Sequence, residues 1–164
     1  MKIYLLIKRI INKPLPNLTK IMIIMGFFLT LVQVNRVGGS VVANALSNIH
    51  KLTPAEIGVV IGVMFLSSAL VQIPFGIMLD RFGARRMIVG WTSVAIIGTV
   101  IFGLAETSSG LTVGRTLIGI GHGASITGVY LLALAWASPE RVASVAATTI
   151  AVAGALGGMI GTAP

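Results

Sequence analysis

Residues 76–86 read G-I-M-L-D-R-F-G-A-R-R, a short charge-dense connector between two apolar stretches, each long enough to cross a bilayer. Together with Pro139-Glu140-Arg141 it holds four of the twelve Lys and Arg residues and two of the four Asp and Glu residues. Most of the remaining chain is apolar and uncharged. Charge confined to brief connectors between long apolar runs describes a polytopic membrane protein.

Composition narrows the class further. Hydrophobic residues make up 55% of the 164, charged residues 10%, and the mean hydropathy is +0.99, whereas soluble domains carry charge on about a quarter of residues. The net charge of +8 does not point to nucleic acid, because Lys2, Lys8, Arg9, Lys13 and Lys20 all precede the first apolar run and form no basic face on a wettable domain. A basic leader on an apolar chain is a topology signal. With no cysteine there is no disulfide, thiolate metal site or cysteine nucleophile.

Five segments reach the roughly 20 apolar residues that a hydrocarbon core demands. They lie at about 21–49, 57–79, 87–105, 111–137 and 142–164, after a basic leader at 1–20. Barrel strands would alternate in polarity over about ten residues, and these runs are continuous for twice that. The expected fold is therefore all-α. Thr53-Pro54-Ala55-Glu56 has the form of a capping box opening the second helix, and Pro74 falls inside that helix, where it could kink it. The short connectors imply antiparallel neighbours. Gly58 and Gly62, Gly119 and Gly123, Gly154 and Gly158, and Gly157 and Gly161 are four G-x-x-x-G pairs that would let helices approach closely.

Alternate connectors differ sharply in basic residues, nine against one, with Lys51 alone on the minority side. The amino terminus and the second and fourth connectors are thus expected in the cytoplasm. A cleaved signal peptide is the competing view of the first span, since residues 21–34 resemble an apolar signal core and Ala43-Asn44-Ala45 a cleavage box. The twenty-residue leader and the polar Gln33, Asn35 and Arg36 between core and box argue for a retained helix.

Arg36 lies about 23 Å along a helix from both Lys20 and Lys51, close to the midplane. A guanidinium there costs about 2.5 to 3.5 kcal/mol to insert and must face protein or water. Gln33, Arg36, Ser40, Asn44 and Ser47 recur at steps of three or four and draw a polar stripe that fits either a solute pathway or an interhelical hydrogen-bonding seam. Arg115 is a second cation inside a span, as a solute site or as a link to helix carbonyls, with His122 about 10 Å further along the same face. Two histidines 72 residues apart and no carboxylate within a span leave no constellation for an enzyme, and no metal site or cofactor is expected.

The defined positions of the connector, Gly76, Asp80, Arg81, Gly83, Arg85 and Arg86, match the signature between the second and third helices of the major facilitator superfamily, and this chain resembles that family over about residues 21–164. Gln72-Ile73-Pro74, Arg115 with Gly119, Gly121 and Gly123, Pro139-Glu140-Arg141 and the glycine-rich residues 154–164 are similar to its neighbouring patterns. Gly76 would permit close helix contact and Gly83 a reversal with positive φ. The resemblance implies that Asp80, Arg81, Arg85, Arg86, Glu140 and Arg141 form a cytoplasmic gate, with Asp80 able to pair with Arg141; for Arg85 and Arg86, pure topology is an equal explanation. Asn35-Arg36 resembles a pair found in the organic anion to cation symporter branch.

Five helices of a six-helix half are implied, so the chain is expected to be a truncated or partial product lacking a carboxy-terminal half. Its expected function is secondary transport of a small, anionic solute by alternating access in a bacterial inner membrane, along Gln33, Asn35, Arg36, Ser40, Asn44, Arg115 and His122. The coupling ion is open between H+ and Na+, and membrane lipids are the other partner. The alternative is a non-transporting oligomeric membrane protein or an inactive fragment.

Overall fold

A computed structural model describes residues 18–41, 45, 49, 51–123 and 125–162, with the side chains of all but 40, 80 and 84–85. Its elements are α1 (Leu18–Val41), α2 (Pro54–Phe82), α3 (Ala84–Leu104), α4 (Ser108–Gly123), α5 (Ser125–Trp136), a 3-10 turn (Pro139–Arg141) and α6 (Val142–Thr162). Five stretches are long and apolar enough to cross a membrane, α4 and α5 together supplying the fourth as Ser108–Trp136. Large apolar side chains point outward along these helices, Ile73 and Leu104 each 77% exposed and Met159 72%. Water would penalise such a surface, whereas acyl chains do not.

Helix ends follow local chemistry. Thr53 accepts from the Glu56 amide at 3.3 Å while its own amide donates to Glu56 Oε2 at 2.8 Å, and Pro54, which needs no amide partner, opens α2. The helix runs unbroken through Pro74 to Phe82. One residue, Gly83, then separates α2 from α3: its amide closes α2 on the Leu79 carbonyl at 2.9 Å, and its φ of +81° turns the chain. That is the positive-φ reversal foreseen for this glycine.

Packing departs from simple neighbour pairing. The closest associations join α3 to α4, α2 to α4 and α1 to α6, while α2 and α3 touch only slightly despite their one-residue connector. A short connector ties two ends together, but it does not choose which faces meet. Glycine notches do that here. A Cβ on Gly114 would lie 2.7 Å from the Phe102 amide nitrogen, one on Gly123 2.7 Å from the Ser68 carbonyl, and one on Gly157 2.8 Å from the Thr30 carbonyl. Of the four G-x-x-x-G pairs, Gly119/Gly123 and Gly157/Gly161 are filled by a facing helix, whereas Gly58, Gly62 and Gly158 meet nothing within 4 Å.

The fourth span is the centre of the bundle, its apolar stretch 53% buried against 17–22% in the others. Three clusters fill the seams. Met25, Leu29, Val129, Ala133, Ala146 and Ala153 join α1, α5 and α6. Leu52, Val60 and Leu111 close the end near the first connector, and Phe75 with Met87 closes the opposite end, where Phe75 meets Trp91 edge to face at 5.8 Å.

Candidate functional site

Arg115 is only 4% exposed and is held by three helices besides its own. From α4, its Nη1 donates to the Asn35 carbonyl of α1 at 2.9 Å and lies 3.2 Å from Met64 Sδ of α2. Its Cζ stands 4.5 Å from the Phe102 ring centroid of α3. The local sequence explains the geometry: Gly114, the residue before it, lets α3 come close enough to slide the Phe102 ring beneath the guanidinium. A desolvated cation gains about 2 kcal/mol from such a face. On α1 the guanidinium occupies the space where a side chain at Gly39 would begin.

Arg36, half-buried on α1, faces α2 and stands 5.7 Å from the Phe65 ring centroid. Its polar neighbours do not all share that direction. Gln33 packs against Gly157 on α6, so its Cβ belongs to the α1–α6 seam. The Asn35 side chain donates back to the Leu31 carbonyl at 3.2 Å within its own helix, and the contribution of Asn35 to the buried cluster is its backbone oxygen. The stripe read from the sequence is therefore split between two faces over its described part. The Ser40 side chain, Asn44 and Ser47 lie outside the described residues.

His122 is 6% exposed, with its carbonyl accepting from Ser125 Oγ at 2.5 Å, and it lies within electrostatic reach of both Arg36 and Arg115. Four buried side-chain polar atoms have no hydrogen-bond partner among the described residues: Arg36 Nε, Arg115 Nε, His122 Nδ1 and Ser68 Oγ. All four belong to α1, α2 and α4. Ser68 escaped the sequence reading, although the Ser67-Ser68 pair interrupts an otherwise apolar span and could have marked it. Buried polar atoms without partners are rare and cost about 1 to 3 kcal/mol each.

At the connector, Arg81 is exposed with its Cζ 5.6 Å from the Phe82 ring centroid, and Arg86, Glu140 and Arg141 are exposed as well. Gly76 does not make the close helix contact expected of it: nothing lies within 4 Å of where its Cβ would be, because the helices tied to α2 at this end pack on other faces. The Asp80 and Arg85 side chains, and with them the Asp80–Arg141 pair, lie outside the described residues. No group of three metal-ligating side chains occurs among the described residues.

Five helices long and apolar enough to cross a bilayer, with Arg115 buried on the fourth span and Arg36 half-buried on the first, describe an integral membrane protein. The family model for the Major Facilitator Superfamily matches residues 19–163, and the chain belongs to that family. It is 43% identical over 67 residues, 41% of the chain, to the inner membrane transport protein YajR of Escherichia coli, where the match covers 15% of that protein. It is 30% identical over 93 residues, 57% of the chain and 22% of the relative, to a probable sulfoacetate transporter, SauU, of Cupriavidus necator. A third relative, the uncharacterized transporter YybO of Bacillus subtilis, is 30% identical over 108 residues, 65% of the chain and 25% of the relative. The chain thus spans a quarter or less of the length of these relatives. No solved structure matches it significantly.

Proposed function

We propose that these helices serve in a secondary transporter that carries a small organic anion by alternating access, with Arg36 as the solute-facing cation. The observation that carries the proposal is the placement of Arg36: half-buried within the first apolar span, facing α2, with no partner for its Nε and no carboxylate inside a span among the described residues. A cation held there at a cost of several kcal/mol, with a second guanidinium buried close by, makes a positive potential in a low-dielectric setting, which attracts anions. The name of the Cupriavidus relative, a probable sulfoacetate transporter, agrees with a sulfonate or carboxylate as cargo.

Arg115, buried and bonded to α1, adds field to this site, and His122 with Ser68 supplies polar contacts further along α4 and α2. The amino terminus and the second and fourth connectors face the cytoplasm, where Arg81, Arg85, Arg86 and Arg141 with Asp80 and Glu140 gate the pathway. The coupling ion is H+ or Na+, distinguished by imposing each gradient in turn on proteoliposomes.

The test is uptake of a panel of labelled carboxylates and sulfonates by the full-length protein encoded at the source locus. Replacing Arg36→Gln removes one hydrogen-bonded charge, worth about 1.5 to 3 kcal/mol, and should cut anion uptake about tenfold or more. Unchanged uptake of every anion in the panel would remove the assignment.

A further inference from the structure

The two arginines differ in what surrounds them, and the difference separates their roles. In an α-helix the Asn35 carbonyl accepts from the amide of Gly39, and Cα–Cβ bonds tilt toward the amino terminus, so a side chain at position 39 would cover that carbonyl. Gly39 has none. Into the uncovered notch comes the Arg115 guanidinium, whose Nη1 takes the second lone pair of the Asn35 oxygen at 2.9 Å. Even a single methyl at 39 would overlap it. The adjacent Gly38 is unlike it, with nothing within 4 Å of its would-be Cβ.

We propose that Arg115 is a positioning residue seated in the Gly39 notch, where its bond to the Asn35 carbonyl sets the rotation of α1 and so aims Arg36 toward α2. Three features support it. The bond goes to backbone, so it acts on the helix rather than on a side chain that can swing. Met64 and Phe102 hold the guanidinium from two further helices and leave it little freedom to follow α1 if α1 turns. Arg36 is the residue after Asn35, about 100° round the helix, so a small rotation at Asn35 moves it off the Phe65 face.

The absence of cysteine allows a direct readout of α1 rotation. A Cβ on Gly161 would lie 3.1 Å from Val37 Cβ, so the pair Val37→Cys with Gly161→Cys should oxidise to a disulfide only while α1 keeps its register on α6. In membranes, Arg115→Met and Gly39→Ala should each slow that cross-linking about fivefold, and Gly38→Ala should leave it unchanged; a hydrogen bond to a charged group is large enough for an effect of this size. In uptake, Gly39→Ala, which keeps the Arg115 charge, should raise the apparent KM about tenfold while retaining most of the maximal rate per inserted molecule, because the solute contact is mis-aimed rather than lost, and Arg115→Met, which also removes a positive charge near the site, should raise it at least as much. The double variant should be no worse than Arg115→Met alone, since both changes remove one interaction.

If Gly39→Ala cross-links like Gly38→Ala, or if the effects of Gly39→Ala and Arg115→Met multiply, the notch does not seat the arginine and the proposal falls. The uptake arm rests on Arg36 contacting solute, whereas the cross-linking arm does not. Should Arg115→Met fail to insert, Gly39→Ala against Gly38→Ala still decides the matter.

Discussion

Two glycines in one connector motif show how differently identical residues behave. Gly83 holds φ +81° and ψ 153°, a conformation nearly closed to residues with a Cβ, and it caps α2 through its amide. Gly76 is helical and faces open space. Gly83→Ala should therefore destabilise the bundle by about 1 to 3 kcal/mol, whereas Gly76→Ala should be neutral or gain up to about 1 kcal/mol from helix propensity. Thermal unfolding of the two variants in detergent separates them, and equal melting temperatures would contradict the assignment. At the opening of α2, Thr53→Ala removes one arm of a capping box and should cost about 1 kcal/mol in the same assay. Gly83 and the box were legible in the sequence because turn and cap chemistry is local. The idleness of Gly76 was not, because contact at a helix face depends on which helix arrives there.

Among elements, the glycine pairs carry the same lesson. Gly157 and Gly158 are adjacent and each begins or ends a G-x-x-x-G pattern, yet only Gly157 is filled, by Gln33 and the Thr30 backbone of α1. Gly157→Leu should thus separate α1 from α6 and leave the purified protein polydisperse in size-exclusion chromatography. Gly158→Leu, with nothing within 4 Å, should elute as the parent does. Interhelical packing in lipid has little hydrophobic drive, so loss of close contact is not compensated elsewhere. The apolar runs disclosed how many helices cross, since run length reports hydrocarbon thickness. Their partners stayed hidden because α1 meets α6 and α2 meets α4 through notches whose pattern recurs on faces that pack against nothing.

For the whole molecule, orientation is the property that the nine-to-one division of Lys and Arg forecasts. Exposed Ser109 and Ser138 sit at opposite ends of the fourth span. In intact cells a membrane-impermeant maleimide should label Ser109→Cys, while Ser138→Cys should react only after permeabilisation. Labelling of both from outside would overturn the orientation and with it the cytoplasmic gate.

The sequence by itself determined the membrane setting, the five crossings and the family, because lipid accepts only uncharged runs of a set length and the connector signature is dense enough to identify. The tertiary structure alone decided which glycines are notches and how the surroundings of Arg36 and Arg115 differ. What surrounds a guanidinium depends on the atoms that other helices bring to it: Arg115 meets the Asn35 carbonyl, Met64 and Phe102, whereas among the described residues Arg36 meets the Phe65 ring and its Nε has no hydrogen-bond partner.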